Sequence, residues 1–146
     1  MIAEFYHEPV MLKEVIDSLL VGKTGVYVDG TVGGAGHAYE ILKNTDAFLV
    51  GIDCDDDALC FAEKKLAEFG SRKILIKENF VHLDNILKSL NIKKVDGVLL
   101  DLGVSSRQLD TAERGFSFIQ QAPLDMRMDR SLKLSAYDIV NSFGQN

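Results

Sequence analysis

Val26-Tyr27-Val28-Asp29-Gly30-Thr31-Val32-Gly33-Gly34-Ala35-Gly36-His37 is the stretch from which the rest of the chain can be read. It opens as a buried strand at Val26, Tyr27 and Val28. It turns through four glycines, and Ala38, Ile41 and Leu42 then follow at helical spacing. Strand, glycine loop and helix in that order make the entry to a nucleotide-binding α/β unit. Glycines let the backbone approach a ligand without a Cβ in between. Asp29 stands where the strand gives out, at the carboxyl edge where open α/β sheets bind ligands.

Before this stretch, Leu12, Val15, Ile16, Leu19 and Leu20 form an apolar stripe. The spacing predicts a helix from about Pro9, with Pro9 in its first turn. It reads as a cover for the core or a lid over a cofactor. Gly22 and Gly25 end it. After the stretch, residues 48–52 read as a second strand that ends at Asp53. Within residues 53–57 an Asp can cap the next helix, whose stripe is Leu59, Ala62, Leu66 and Phe69, with Gly70 at its end. Residues 73–77 are a third strand. Phe80, Leu83, Leu87 and Leu90 mark another helix, and residues 95–100 a fourth strand that ends at Asp101. Strands alternating with helices predict a parallel sheet with helices on its faces. Residues 102–130 show no period, although their apolar residues argue against plain disorder. Ser135 starts a capped helix with Asp138 three residues on.

With 146 residues, 47% hydrophobic and 26% charged, the chain is long enough for one domain with a core. No run of residues suits a membrane span, and the first residues lack the pattern of a secretory signal. A net charge of −6 argues against a non-specific nucleic-acid coat. Arg107, Arg114, Arg127 and Arg130 leave room for a local basic strip, but charge alone favours their pairing with Asp110, Glu113, Asp125 and Asp129. Cys54 and Cys60 fit neither a redox pair nor a zinc site, and no metal constellation is visible around any histidine. Both cysteines are expected to be thiols in a reducing cytoplasm, with Cys60 packed in the core.

Three carboxylates, Asp29, Asp53 and Asp101, fall at three strand ends. Asp53 follows Asp29 by 24 residues, the place of a residue that takes ribose hydroxyls. Because Asp55 to Asp57 can serve as caps, Asp53 is expected to be free for a ligand. A dinucleotide fits poorly, since Tyr39 stands where the motif that starts at Gly34 needs a small residue. A phosphate-binding loop is excluded because no Gly-Lys-Ser/Thr follows the glycines. The loop carries no lysine or arginine, so the expected ligand is a nucleoside without phosphates. S-adenosylmethionine, a cationic sulfonium, suits acidic strand ends.

Further strings carry a resemblance. Tyr6-His7-Glu8-Pro9-Val10, the glycine loop, Asp101-Leu102-Gly103-Val104-Ser105-Ser106-Arg107-Gln108-Leu109-Asp110, Glu113-Arg114-Gly115-Phe116-Ser117-Phe118 and Pro123-Leu124-Asp125-Met126-Arg127-Met128-Asp129 together resemble the bacterial 16S ribosomal RNA cytosine-N4 methyltransferases of the MraW type. The resemblance covers nearly the whole chain. It implies a class I methyltransferase fold, Rossmann-like, S-adenosylmethionine as the donor, and methylation of a cytidine amine in small-subunit ribosomal RNA in the cytoplasm. By matching position it implies cofactor contacts from Gly34, Ala35, Gly36, His37, Asp53, Phe80, Asp101 and Gln108. Phe80 is read as packing on adenine or as a core residue, and His37 as a cofactor contact or a helix-start residue bonded to backbone.

The family carries Gly where this chain has Ala35, a methyl that is tolerable if φ is negative there. Members are also about twice this length, so the chain reads as an N-terminal fragment with its sheet truncated after the fourth strand. Residues 1–110 are then a cofactor-binding domain with an incomplete sheet, and residues 111–146 the start of a substrate-facing segment. Methyl transfer to a cytosine amine calls for an acceptor of the amine proton. Asp101 is the first candidate for it, with cofactor binding as the alternative role. Ser105 and Ser106 are read as further acceptors or turn residues, and Phe116 and Phe118 as base-stacking groups or buried loop anchors. The rival readings are a cofactor-binding fragment inactive alone and an NAD-dependent oxidoreductase. The fourth strand is expected at an open sheet edge, where self-association would follow.

Overall fold

Apolar side chains on both sides of each strand call for helices on both faces of the sheet. A computed structural model, which describes residues 9–144, has that arrangement. The elements are α1 Leu12–Leu19, β1 Val26–Asp29, α2 Gly36–Asn44, β2 Phe48–Asp53, α3 Asp56–Lys65, β3 Lys73–Lys77, α4 Leu83–Ser89, β4 Gly97–Leu99, α5 Ser106–Asp110 and α6 Ala136–Ser142. The four strands are parallel in the order β3-β2-β1-β4. That order and direction are Rossmann-like.

The described residues form two compact units that divide after Leu102. In the first unit, side chains alternate between two cores. Tyr27, Leu49 and Leu75 face Ala38, Ile41, Leu42, Ala62 and Leu66 of α2 and the α3 region. Val28, Val50, Ile52 and Ile76 face Ile86, Leu83 and Leu87 of α4. Burial on both sides explains why these strands read as apolar runs rather than as an alternating pattern. Ile16 and Leu19 of α1, with Leu20 just after it, close the first of these cores. The helix is a cover, as its stripe predicts.

Local departures have local causes. Helix α1 begins at Leu12, after Met11 in the left-handed region at φ 53°, so Pro9 is not in its first turn. Pro9 instead lies where a Cβ on Gly36 would fall, with its Cγ at 2.7 Å from that position. Helix α3 stops at Lys65, and tighter turns carry Leu66 and Phe69 on to Gly70 at φ 56°. The paired part of the fourth strand is three residues, because β1 is its sole partner among the described residues and ends at Asp29. Its Val98 is exposed, as the edge position implies. Cys60 is exposed on α3 rather than packed in the core. Neither cysteine is in a disulfide.

The second unit contains order that the aperiodic sequence of residues 102–130 conceals. Ser105 and Gln108 form a reciprocal capping box that starts α5, and Ser135 and Asp138 form another that starts α6. The Arg114 side chain is buried and donates to the carbonyls of Arg127 and Met128 at 3.1 and 3.0 Å. Met126 N donates to Arg114 O, and Ala136 N and Tyr137 N donate to Asp125 O and Leu124 O. Gly115 takes φ 70°, and Pro123 O and Asp125 N fill the space a Cβ would need. The Glu113-Arg114-Gly115 and Leu124-Asp125-Met126-Arg127-Met128 strings are therefore parts of one knot. Within it Arg127 grips Asp125 at 2.7 Å, which holds the Asp125 carboxyl down at about 2. Phe118 is fully exposed rather than a buried anchor, while Phe116 is half-buried near the Arg114 guanidinium.

Arg72 is a structural residue without a sequence signal. Its guanidinium donates to Thr45 O at 2.7 Å and Leu42 O at 3.0 Å, which satisfies carbonyls at the end of α2. Arg72→Met leaves both acceptors without that donor. The substitution is expected to lower the unfolding free energy by about 1.5–3 kcal/mol with an unchanged urea slope. An unmoved urea midpoint would show that these bonds do not hold α2 in place.

Candidate functional site

The site is built at the carboxyl ends of three adjacent strands. Strand β1 lies between β2 and β4, with Asp29 opposite Gly51 on one side and Leu99 on the other. Asp29 ends β1, Asp53 ends β2, and Asp101 follows β4 two residues after its last paired position. The glycine loop rises between these ends and is tied to both neighbours. Gly30 N donates to Leu99 O, and Val32 N to Ile52 O, each at 2.9 Å. Thr31 Oγ1 accepts from Asp101 N at 2.7 Å.

Gly30 marks the closest approach. A Cβ there would sit 2.5 Å from Leu100 Cδ2 and 3.2 Å from Phe80 Cβ, so any side chain would displace the groups that form the wall of the site. Phe80 stands at the start of a short turn before α4, about one-third exposed at 37%, and is absent from both apolar clusters. Its Cβ lies beside the glycine loop, and its side chain is not part of either core.

Asp53 differs from its expectation. It is not free: Oδ2 accepts from Gly33 N at 2.8 Å and Oδ1 from Asp55 N at 2.9 Å. Asp55 is the helix cap, accepting from Asp57 N. Asp53 thus holds the glycine loop against the end of β2, where Gly33 takes φ 45°. The Cys54 amide adds to these bonds, and the carboxylate keeps acceptor capacity for a further donor. Burial raises the Asp53 pKa above the ordinary carboxylate value, and the amides of Asp55 and Gly33 oppose that.

Ala35 also departs from expectation. It lies at φ 53°, not at negative φ, as the residue before α2. A left-handed non-glycine residue costs about 1–2 kcal/mol. Its methyl is fully buried in the same cluster as Val32 and Ala38, which offsets part of that cost. Gly34 and Gly36 are half-buried on either side. His37 is buried, with Nε2 at 3.0 Å from Val10 O, so the helix-start reading describes its side chain. Its bond fastens the segment before α1 to the loop. Tyr6, His7 and Glu8 lie outside the described residues.

Asp101 is exposed at the mouth of the site. Gln108 belongs to the second unit, where it is buried and its side-chain oxygen accepts from Ser105 N in the α5 capping box. Ser105 is that helix's cap, which is the turn-residue reading. Thr31 was missed by sequence reasoning. Only the 70-residue jump from the glycine loop to the end of β4 gives it a role, and no local pattern encodes that. Asp29 ends β1 at the carboxyl edge of the sheet. It is 2% exposed, with Thr31 N donating to its Oδ1 at 3.2 Å. Burial pushes its pKa up to about 7; the Thr31 amide opposes this, while the Asp53 and Asp101 charges add to it.

Fold and site together define a Rossmann-like unit, with a glycine loop free of lysine and arginine and with acidic strand ends. A family model described as the MraW methylase family matches residues 4–146, and the chain belongs to that family. Proteins named ribosomal RNA small subunit methyltransferase H are similar to it. That of Syntrophus aciditrophicus is 58% identical over 139 residues, 94% of this chain and 44% of its own length. That of Acetivibrio thermocellus is 51% identical over 146 residues, 97% of this chain and 47% of its own. That of Clostridium botulinum is 51% identical over 142 residues, 96% of this chain and 46% of its own. The chain spans about half the length of these relatives.

The buried Asp29 sets a pH dependence of stability. Between the unfolded value of 3.8 and the folded value of about 7, the folded chain keeps a proton that the unfolded chain has lost. Stability therefore falls as pH rises through that window and levels off above it. Asn at this position accepts the Thr31 amide equally well and cannot ionise. Asp29→Asn is expected to gain on the natural chain between pH 5 and pH 8, by up to about 2.5 kcal/mol. Urea unfolding at both pH values checks it, and a difference that does not change with pH would contradict it.

Proposed function

We propose that this chain is the cofactor-binding part of an S-adenosylmethionine-dependent methyltransferase that acts on N4 of a cytidine in 16S ribosomal RNA of the small subunit, a cytoplasmic reaction. One observation carries the reading: three carboxylates converge on a glycine loop that has no lysine or arginine. Such a site suits a cationic nucleoside and repels a pyrophosphate. Membership of the MraW methylase family, and the printed name shared by its similar relatives, support the same donor and an RNA acceptor.

When bound, S-adenosylmethionine supplies a methyl group activated by its sulfonium charge. The chain's own residues position and shield. Asp53, already fixed by backbone amides, offers its remaining acceptor capacity to ribose hydroxyls. Phe80 offers its ring to adenine. Gly34, Ala35, Gly36, His37 and Gln108 are the further cofactor contacts that the family resemblance implies. Asp101 is held by its backbone to Thr31 while its carboxylate stays exposed, as an acceptor of the amine proton must. A cytosine amine has its lone pair drawn into the ring, so an acceptor on its hydrogen strengthens it as a nucleophile. The target base must also leave its stack.

An NAD-dependent oxidoreductase is disfavoured by Tyr39, whose ring packs edge-on against Phe69 at 5.3 Å in the position that motif reserves for a small residue. Among the described residues, no helix is long and apolar enough to cross a membrane. Titration calorimetry separates the cofactors: S-adenosylhomocysteine is expected to bind and NADH not to. Binding of NADH alone would sink the proposal. With tritiated donor and small ribosomal subunits, the 146-residue chain is expected to bind cofactor without turnover, and a chain of its relatives' length to incorporate label. Self-association through the exposed edge of β4 belongs to the same reading, and sedimentation showing only monomer at high concentration would remove it.

A further inference from the structure

Asp29 is the buried ionisable group that this reaction leaves without a role. Its side chain lies at the end of the central strand, 2% exposed. The charges that face it come from both neighbouring strands: Asp53 from β2 and Asp101 from beyond β4. Two basic side chains on the neighbouring elements are engaged elsewhere. Lys77, at the end of β3, holds Asp56 at 2.6 Å. His37, in the first turn of α2, meets Val10 O. Its own loop contributes only the Thr31 amide, at 3.2 Å.

We propose that Asp29 is the proton store of the cofactor site: protonated in the free protein, it gives its proton to solvent when a ligand of fixed positive charge settles between Asp53 and Asp101. The proposal rests on the reading of these strand ends as an S-adenosylmethionine site. Burial disfavours the ionised form of a carboxyl, neighbouring carboxylates add to that, and Asp29 is the most buried of the three. A sulfonium replaces the proton as the counter-charge. The O–H bond of the carboxylic acid breaks, its electron pair stays on the carboxylate, the proton goes to water, and nothing is oxidised or reduced. S-adenosylhomocysteine has the same adenosine and amino acid but no sulfonium, so it leaves Asp29 protonated. The site thereby tells methylated donor from spent product by charge, and does so more strongly as pH rises toward neutrality. With Asp29 titrating at about 7, affinity for the donor rises about tenfold per pH unit below that value and flattens above it, while affinity for the product changes less.

The test is calorimetry of the 146-residue chain with each ligand at pH 6.5, in two buffers of different ionisation enthalpy. The expected result is release of about three-quarters of a proton with S-adenosylmethionine and clearly less with S-adenosylhomocysteine. Asp29→Asn is expected to bind the donor with that proton missing from the balance, a comparison that also subtracts any proton from the ligand's own amine. Donor binding without proton release in the natural chain, or undiminished release by the variant, overturns the proposal. Failure of both ligands to bind overturns the cofactor reading itself, a different outcome. Carbon-13 carboxyl NMR of the natural chain follows Asp29 directly and needs no variant. A neutral-range titration that disappears in the donor complex supports the proposal, and a carboxylate already ionised at pH 5 refutes it.

Discussion

Strand β1 lies between β2 and β4 in parallel register, and this pairing sets everything at the site. It brings Asp29, Asp53 and Asp101 to one edge, although 72 residues separate the first from the last. A parallel sheet with helices on both faces leaves the carboxyl edge as the open place where a ligand can meet several strands at once. The glycine loop is then fastened from both sides, by Asp53 to Gly33 and by Asp101 N to Thr31. The groups that would bind a ligand therefore also shape the loop that receives it.

That double duty has an energetic consequence. Asp29 is buried beside two other carboxylates, and Ala35 sits in a left-handed conformation within the core. Each opposes folding by itself. Both lie in or next to the glycine loop, where unfavourable local features accompany function. The apolar layers on either face, centred on Ile41, Leu42 and Leu49 and on Val28, Val50 and Ile52, hold the loop in place against them.

Much of this was legible in the sequence because the signals are local. The apolar runs of β1, β2 and β3, the stripe of α2 and the Ser135–Asp138 capping box each announce themselves over a few residues. The strings around Glu113 and Leu124 carry the family resemblance in their residues alone. What escaped depends on distance. Asp53 was expected to be free because local capping was assigned to Asp55, but Gly33 reaches it from 20 residues away. The sign of φ at Ala35 follows from how loop and core close together, not from its neighbours. Helix α5 is five residues long, too short to show a period, yet its Ser105 and Gln108 carry the capping spacing that could have revealed it. Cys60 faces solvent because α3 turns its stripe of Ala58 and Ala62 inward.

The central claim is that the glycine loop and the three strand ends form one nucleoside site. Amide NMR during titration with S-adenosylhomocysteine tests it most directly. The account predicts that the largest shifts fall together on Gly30, Thr31, Gly33, Gly34, Asp53 and Phe80, with a common saturation. Shifts confined to other parts of the chain, or saturable binding that leaves those six amides unmoved, would contradict it.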